Sequence, residues 1–302
     1  MADGRIRIGV VLPIAQVETD GQATPYATLR AIAIAAEGAG FDSVWVFDHL
    51  LFRADGEEDG IHECWTILAA IAEATRWVEL GTLVMCTGFR NPALLAKMAA
   101  TLDHLSGGRL ILGLGSGWHD PEYEAFGYPT DHKVSRFEES LTVITSLIRE
   151  GRADLDGRFV TARDAALLPP ARPDIPILIA AKKPRMLELT ARHADAWNLA
   201  WFGLPDERLA SVRGELAAAC DRVGRDPSTL TDTVGVTVRY PAEPGADESP
   251  GLSLTGTPDE IAAGLRAHVE AGAEHLIASL DPCTERTVAE FAEAVALFRA
   301  AS

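Results

Sequence analysis

Asp48 and His49 stand side by side at the end of an apolar run, Val44-Trp45-Val46-Phe47. An imidazole there can hydrogen-bond a ligand or transfer a proton near neutral pH. A structural histidine tied to a loop carbonyl is the competing reading, and position alone does not choose between them. A second stretch, Leu112-Gly113-Leu114-Gly115-Ser116-Gly117-Trp118, is rich in glycine. Residues without a Cβ let a backbone approach a flat ring or a phosphate closely. As a dinucleotide signature the stretch is weak, because the third glycine of that motif is missing and no helix follows at once. A tight turn explains it equally well. A third stretch, Ala180-Ala181-Lys182-Lys183-Pro184, combines small residues, two cations and a helix start. That combination suits an anionic group, since helix N-termini carry unpaired N–H groups and partial positive charge. Solvated lysines are the plain alternative. The run Gly81-Thr82-Leu83-Val84-Met85-Cys86-Thr87 reads by itself as an ordinary buried strand, with Arg90 behind it as a loop anchor.

Several chemistries find no support. The histidines at 49, 62, 104, 119, 132, 193, 268 and 275 form no His-x-x-x-His pair, and Cys64, Cys86, Cys220 and Cys283 form no Cys-x-x-Cys pair. No metal site is therefore expected, and the cysteines read as reduced thiols rather than a disulfide framework. A Gly-x-Ser-x-Gly nucleophile elbow is also missing, which leaves a hydrolase unsupported. The formal charge is −17. Such a surface repels phosphate backbones and anionic lipid, so neither nucleic acid nor a membrane is an expected partner. The apolar runs are strand-length, and residues 1–7 hold no apolar signal core. A cytoplasmic protein is the expectation.

The candidates need a scaffold that brings strand ends together. The chain alternates β-type runs with helical ones. Strands are expected at 6–12, 42–47, 78–86, 109–114, 175–180, 194–199, 234–239 and 275–280. Helices are expected at 25–39, 64–75, from Asn91-Pro92 to the Ser106-Gly107-Gly108 stop, and at 132–150, 184–193, 205–223, 257–271 and 284–300. Asn91 precedes a proline at the first helical position, and Thr257-Pro258-Asp259-Glu260 reads as a capping box. Eight strand-then-helix units imply a parallel sheet, because parallel strands need helical crossovers. Eight units also point to a closed (β/α)8 TIM barrel, a fold that uses about 250 residues as one domain. The 302 residues are accordingly read as one α/β domain, 1–302, with a doubly wound open sheet as the lesser alternative. Stretches 53–62 and 118–131 read as loop insertions at the carboxyl ends of strands, where barrel enzymes keep their active sites. Stretch 151–174 reads as a loop with a short hairpin at 158–163, and 241–250 as a polar, proline-rich loop.

At these strand ends the sequence resembles the luciferase-like monooxygenase superfamily, and within it the F420-dependent oxidoreductases. The resemblance is strong from Arg5 to Trp201 and weaker beyond. It is carried by Ala39-Gly40-Phe41-Asp42-Ser43-Val44-Trp45-Val46-Phe47-Asp48-His49, Leu80-Gly81-Thr82, Arg90-Asn91-Pro92-Ala93-Leu94-Leu95-Ala96-Lys97 and Thr101-Leu102-Asp103-His104-Leu105-Ser106-Gly107-Gly108-Arg109. The Leu112 to Trp118 stretch and Ala194-Asp195-Ala196-Trp197-Asn198 complete it. Singly none of these is specific; together they are.

The resemblance implies a bacterial-luciferase-like barrel with FMN or the deazaflavin F420 at the carboxyl ends of its strands. Asp48-His49 looks like the Asp-His pair of deazaflavin-dependent dehydrogenases, whereas FMN luciferases more often carry Glu-His, so the pair leans toward F420. Leu83-Val84 falls where such proteins hold a non-prolyl cis peptide against the ring. Ser116 and Gly117 match positions that line the ring, and Cys86, Ala180, Ala181, Lys182 and Lys183 are read with them as cofactor-binding. Two departures stand out. Trp118 replaces the glutamate proton donor of a sugar-phosphate dehydrogenase in this family, which favours a flatter or more apolar substrate. Lys182-Lys183 replace two glycines of the usual phosphate loop.

The expected reaction is hydride transfer between F420 and a small organic molecule. His49 would donate or accept the proton, and Asp48 would orient His49 and contact the cofactor. Trp118, His119, His62 and Trp65 would line the substrate side. The alternatives are an FMN monooxygenase using reduced flavin and oxygen, and a non-catalytic flavin-binding protein. Dimers are common among such proteins, which makes a homodimer possible, but no exposed apolar stripe marks an interface and the oligomeric state stays open.

Overall fold

Short β-branched and leucine-rich runs, buried almost throughout, become the parallel strands of a closed ring. The structure, a computed structural model, describes residues 5–19, 21–54, 56–240 and 251–301. Among these, eight ring strands follow in order: β1 (Arg7–Val11), β2 (Ser43–Val46), β3 (Glu79–Thr82), β4 (Leu110–Gly115), β5 (Ile177–Ala180), β6 (Ala196–Phe202), β7 (Thr231–Arg239) and β8 (His275–Asp281). Each lies parallel to the next, and Arg7 pairs with His275 to close the ring between β8 and β1. Strands buried on both faces need no polar alternation, which is why they read as continuous apolar runs.

Helices follow the strands on the outside: α1 (Tyr26–Gly38), α2 (Cys64–Ala74), α3 (Pro92–Leu105), α4 (Lys133–Glu150), α5 (Pro184–His193), α6 (Glu207–Val223), α7 (Pro258–Glu270) and α8 (Glu285–Ala300). Local chemistry sets their starts. Asn91 Oδ1 accepts from the Ala93 and Leu94 N–H groups at 2.9 and 3.1 Å, with Pro92 in the first turn. Thr257 and Glu260 form the expected capping box. Each such cap is worth about 1 kcal/mol. Apolar helix faces and the outer sheet surface share one large core, including Ile8, Leu29, Val44, Leu68, Leu95 and Ile144. A smaller cluster of Val11, Trp45, Ile111, Leu178, Ala196 and Ile277 fills the barrel interior, with Phe47, Leu83 and Val84 packed against it.

Several expected boundaries change. The third strand does not run unbroken over 78–86. It stops at Thr82, the Leu83–Val84 peptide is cis, and Met85–Cys86 resumes pairing with the end of β4. Residues 53–62 are not a plain loop, because Leu51–Ala54 and Glu57–Gly60 pair as an antiparallel hairpin. Its polar sequence reflects solvent on its outer face. Stretch 118–131 contains a short helix, Asp120–Ala125. The hairpin beyond α4 is longer than expected, pairing Arg152–Asp156 with Thr161–Ala166. Strand β6 runs seven residues rather than a short six. The proline-rich stretch 241–250 lies outside the described residues.

Close approach of β3 and β4 depends on Gly113. Thr82 Oγ1 donates to the Gly113 carbonyl and accepts from its N–H, both at 2.9 Å. A Cβ on Gly113 would lie 1.8 Å from the Thr82 carbonyl oxygen, a backbone atom that cannot rotate away. Gly113→Ala is therefore expected to lower the free energy of unfolding by at least about 1–3 kcal/mol, as overpacking does elsewhere. Urea denaturation reads this directly; a midpoint equal to the parent's would mean that the two strands separate at little cost.

Candidate active site

Residues from β2, β3, β4, β5 and β6 meet at the carboxyl ends of the strands around a cavity of about 410 Å³. Its lining includes Asp48, His49, Leu83, Val84, Cys86, Ser116, Gly117, Trp118, Ala180, Ala181, Lys182 and Lys183. Twelve residues singled out in the sequence thus converge on one space. Phe47, Gly115, Glu122, Val134, Met186, Asn198, Leu199, Ala200 and Trp201 complete it. The strand alternation that points Trp45 into the barrel interior leaves Phe47 and the Asp48-His49 pair at the mouth, where β2 has ended. Lys182 and Lys183 are exposed just ahead of α5, whose first turn begins at Pro184.

Three expected substrate residues lie elsewhere. His62 Nε2 is bonded to the Thr24 carbonyl at 2.9 Å, and Trp65 is buried in the core between α2 and its neighbours. His119 is buried behind His49, with ring centroids 6.4 Å apart, and its Nε2 accepts from the Arg53 N–H. None of the three lines the cavity. Backbone direction explains this: the segment before α2 holds His62 on the Thr24 carbonyl, α2 turns Trp65 inward to the helix layer, and the turn after Trp118 sends successive side chains to opposite sides.

His49 is held by a glutamate rather than by its neighbour. Its Nδ1 lies 2.8 Å from Glu122 Oε1, while Glu122 Oε2 accepts from the Leu50 N–H at 2.8 Å. Glu122 is 1% exposed, so these are its partners in a water-poor setting. A carboxylate against Nδ1 places the proton there and leaves Nε2 as the remaining ring nitrogen. The ring packs on Phe52 at 4.6 Å and edge-on to Trp118 at 5.4 Å. Sequence reasoning missed Glu122. Its only local signal is Asp120-Pro121-Glu122, an acidic, proline-bearing first turn that announces a short helix without saying which way it faces.

Asp48 does not orient His49. It accepts from the Cys86 N–H at 2.9 Å and makes a two-point pair with Arg90, Nη1 to Oδ2 at 2.5 Å and Nη2 to Oδ1 at 3.1 Å. Arg90 also donates to Glu63 Oε1 at 2.5 Å. Burial opposes the guanidinium charge, yet Asp48 outweighs it and holds Arg90 above its ordinary value. The ligand atoms of Asp48, Glu63 and Cys64 lie within 4.8 Å of one another, but Arg90 already bridges the two carboxylates. That trio is an ion-pair network. The Cys86 thiol is pushed up to about 12, by burial first, against the opposing effect of its hydrogen bond with the Tyr123 hydroxyl at 2.8 Å. It stays protonated and offers no nucleophile.

Fold and cavity together define a (β/α)8 barrel with its ligand site at the carboxyl ends of the strands. The chain belongs to the luciferase-like monooxygenase family, whose model matches residues 6–248. It is 36% identical over 258 residues to a phthiodiolone/phenolphthiodiolone dimycocerosates ketoreductase of a Mycobacterium species, covering 78% of this chain and 65% of that protein. It is 35% identical over 229 residues to an F420-dependent hydroxymycolic acid dehydrogenase of Mycobacterium tuberculosis, covering 74% and 60%. The chain thus spans less than two thirds of the length of these relatives. Among solved structures, an F420-dependent secondary alcohol dehydrogenase in complex with an F420-acetone adduct superposes with a TM-score of 0.80 at 19% identity, covering 98% of this chain and 99% of that one. A riboflavin lyase with modified FMN and riboflavin gives 0.80 at 17%, covering 98% and 92%. At these identities the likeness is one of fold.

Proposed function

We propose that this protein is an oxidoreductase that moves a hydride between F420 and a small, largely apolar organic substrate. One observation carries the reading: a single cavity at the barrel mouth gathers Asp48-His49, the cis Leu83–Val84 peptide, Ser116, Gly117 and Lys182-Lys183. The relatives named for F420-dependent dehydrogenation and ketone reduction support it.

The residues fit a flat, anionic cofactor. Leu83, Val84, Leu199 and Ala200 offer apolar wall, Asn198 and Ser116 offer polar atoms, and the space lies within the range of small-molecule sites. Lys182 and Lys183 make no ion pair among the described residues, so their charges are available to a phosphate or carboxylate. F420, when bound, supplies the hydride chemistry, and the protein supplies orientation and dry surroundings. His49 holds or receives the substrate proton at Nε2, with Glu122 fixing Nδ1 and balancing positive charge that develops on the ring. Asp48 and Arg90 brace the Cys86 backbone and hence the wall beside Leu83–Val84. Phe47, Trp118 and Trp201 form the apolar side on which the substrate rests. No helix among the described residues is long and apolar enough to cross a membrane, and we place the protein in the cytoplasm.

An FMN monooxygenase is the second reading, favoured by the FMN-bearing fold relative. Titration of the purified protein with each cofactor separates the two. F420 is expected to bind with a Kd at least tenfold below that of FMN, with no oxygen consumption in the reduced complex. Submicromolar FMN binding with no F420 binding would reject the F420 assignment.

A further inference from the structure

Beside the ring cavity lies a second space of about 230 Å³, enclosed by the ends of β3 and β4, the start of α3, one face of α4 and the hairpin beyond it. Three cations reach it, Arg90, Lys133 and Arg136, and its lining holds no carboxylate. In a chain of formal charge −17 that is an unusual local balance. The carboxylates that pair with these cations leave donors unused. Lys133 Nζ is paired with Asp120 and lies 4.0 Å from the Tyr123 ring centroid, which leaves two of its three N–H groups. Arg136 bonds Asp131 through Nε and Nη2, at 3.0 and 2.9 Å, leaving Nη1. Ser140, 4% exposed, lines the space, and its hydroxyl has no hydrogen-bond partner among the described residues. The hydroxyl oxygen is open to the space, so a ligand oxygen there can accept from it. Tyr123 and Phe159 supply apolar surface under the cations.

We infer that this space is a second ligand site, one that takes a carboxylate or phosphate group on a small organic body. Guanidinium, ammonium and hydroxyl donors facing one volume recognise an oxyanion by charge-assisted hydrogen bonds. Ser116 lines both this space and the ring cavity, so the two lie side by side. The oxyanion has two sources: a free anion from solution, or the anionic tail of the cofactor proposed above. The second source rests on the F420 reading; the first does not.

Calorimetry with succinate and with inorganic phosphate, on the full chain, tests the site. Succinate, phosphate or both are expected to bind at one site per chain and to bind at least tenfold more weakly to the Lys133→Met/Arg136→Met double variant. Ser140→Ala, a smaller change, is expected to weaken binding about threefold, so a failure of the double variant to fold would not leave the idea unexamined. The two sources separate in a parallel titration of F420 and of its fragment lacking phosphate and glutamates. For a cofactor tail, the double variant loses affinity for F420 but keeps it for the fragment. For a free anion, both deazaflavins bind as to the parent while succinate weakens. If neither deazaflavin binds at all, the cofactor reading fails and the anion titrations still decide this site. Neither anion binding the parent, together with an unchanged F420-to-fragment ratio in the double variant, would overturn the inference.

Discussion

His49→Ala is expected to slow substrate-dependent F420 reduction by about 10²–10⁴-fold, the usual range for removing a general acid or base. The side chain is only 14% exposed and packs on Phe52 and Trp118, but it bears no part of the main core, so thermal unfolding should move by a few degrees at most. Glu122 supplies the control. Glu122→Gln keeps the size and an oxygen while removing the charge opposite Nδ1. A hydrogen bond to a charged group is worth about 1.5–3 kcal/mol, which corresponds to a rate loss of roughly 10- to 100-fold. Because Glu122 acts through His49, the loss should fall on kcat more than on KM, and the pH profile of kcat should shift. Steady-state kinetics across pH, with F420 affinity measured separately, distinguish this from simple loss of shape. A His49→Ala enzyme that turns over at the parental rate would remove the imidazole from the chemistry.

Asp48→Ala should act on stability instead. The Asp48 side chain is fully buried and that of Arg90 is 12% exposed, so alanine strands the Cys86 amide N–H and leaves the guanidinium with Glu63 as its remaining carboxylate partner. Removing one partner of a buried pair costs about 3–5 kcal/mol when the charge left behind has no other partner, and the Glu63 contact puts this loss toward the lower end of that range. For a domain of this size that is a large share of the total stability. Urea denaturation should show the loss in the absence of any cofactor. Asp48→Asn retains an acceptor for the Cys86 N–H and should lose less. If Asp48→Ala unfolds within about 1 kcal/mol of the parent, the Asp48–Arg90 pair is not what holds the mouth together. The two variants therefore separate adjacent residues by readout, His49 in turnover and Asp48 in folding.

Neighbouring positions with such different duties show how far one-dimensional reading reaches. Periodicity and capping are local, and they placed the eight ring strands and the main helices within a few residues. Asn91-Pro92 and the Thr257 to Glu260 box were found because their hydrogen bonds join residues two or three apart. Eight alternating units were enough for a closed parallel ring, since the crossovers that link parallel strands are themselves written in the chain. Strand-end motifs were legible for the same reason: in a barrel the carboxyl ends must face one mouth. So Asp48, His49, the glycine-rich 112–118 turn and the Lys182-Lys183 pair could be placed at one mouth before any coordinates, while Leu83, Val84 and the ring-lining roles of Ser116 and Gly117 came from the family resemblance.

Partnership within that mouth belonged to the tertiary structure. His49 meets Glu122 across 73 residues, and Asp48 meets Arg90 across 42. Nothing in the spacing of either pair distinguishes a bonded carboxylate from a solvated one. The sequence therefore suggested Asp48 as the support of His49 because it was next in line. A strand end, however, sends adjacent side chains in opposite directions, so adjacency in the chain argues against contact. Backbone direction likewise tied His62 to the Thr24 carbonyl, drew Trp65 into the helix layer and turned His119 behind the imidazole. Sequence determined which elements form and which of their ends share a rim, because those follow from hydrogen bonds and apolar periods a few residues long. Only the folded chain decided which charges pair, because pairing depends on directions summed over whole strands, helices and the turns between them.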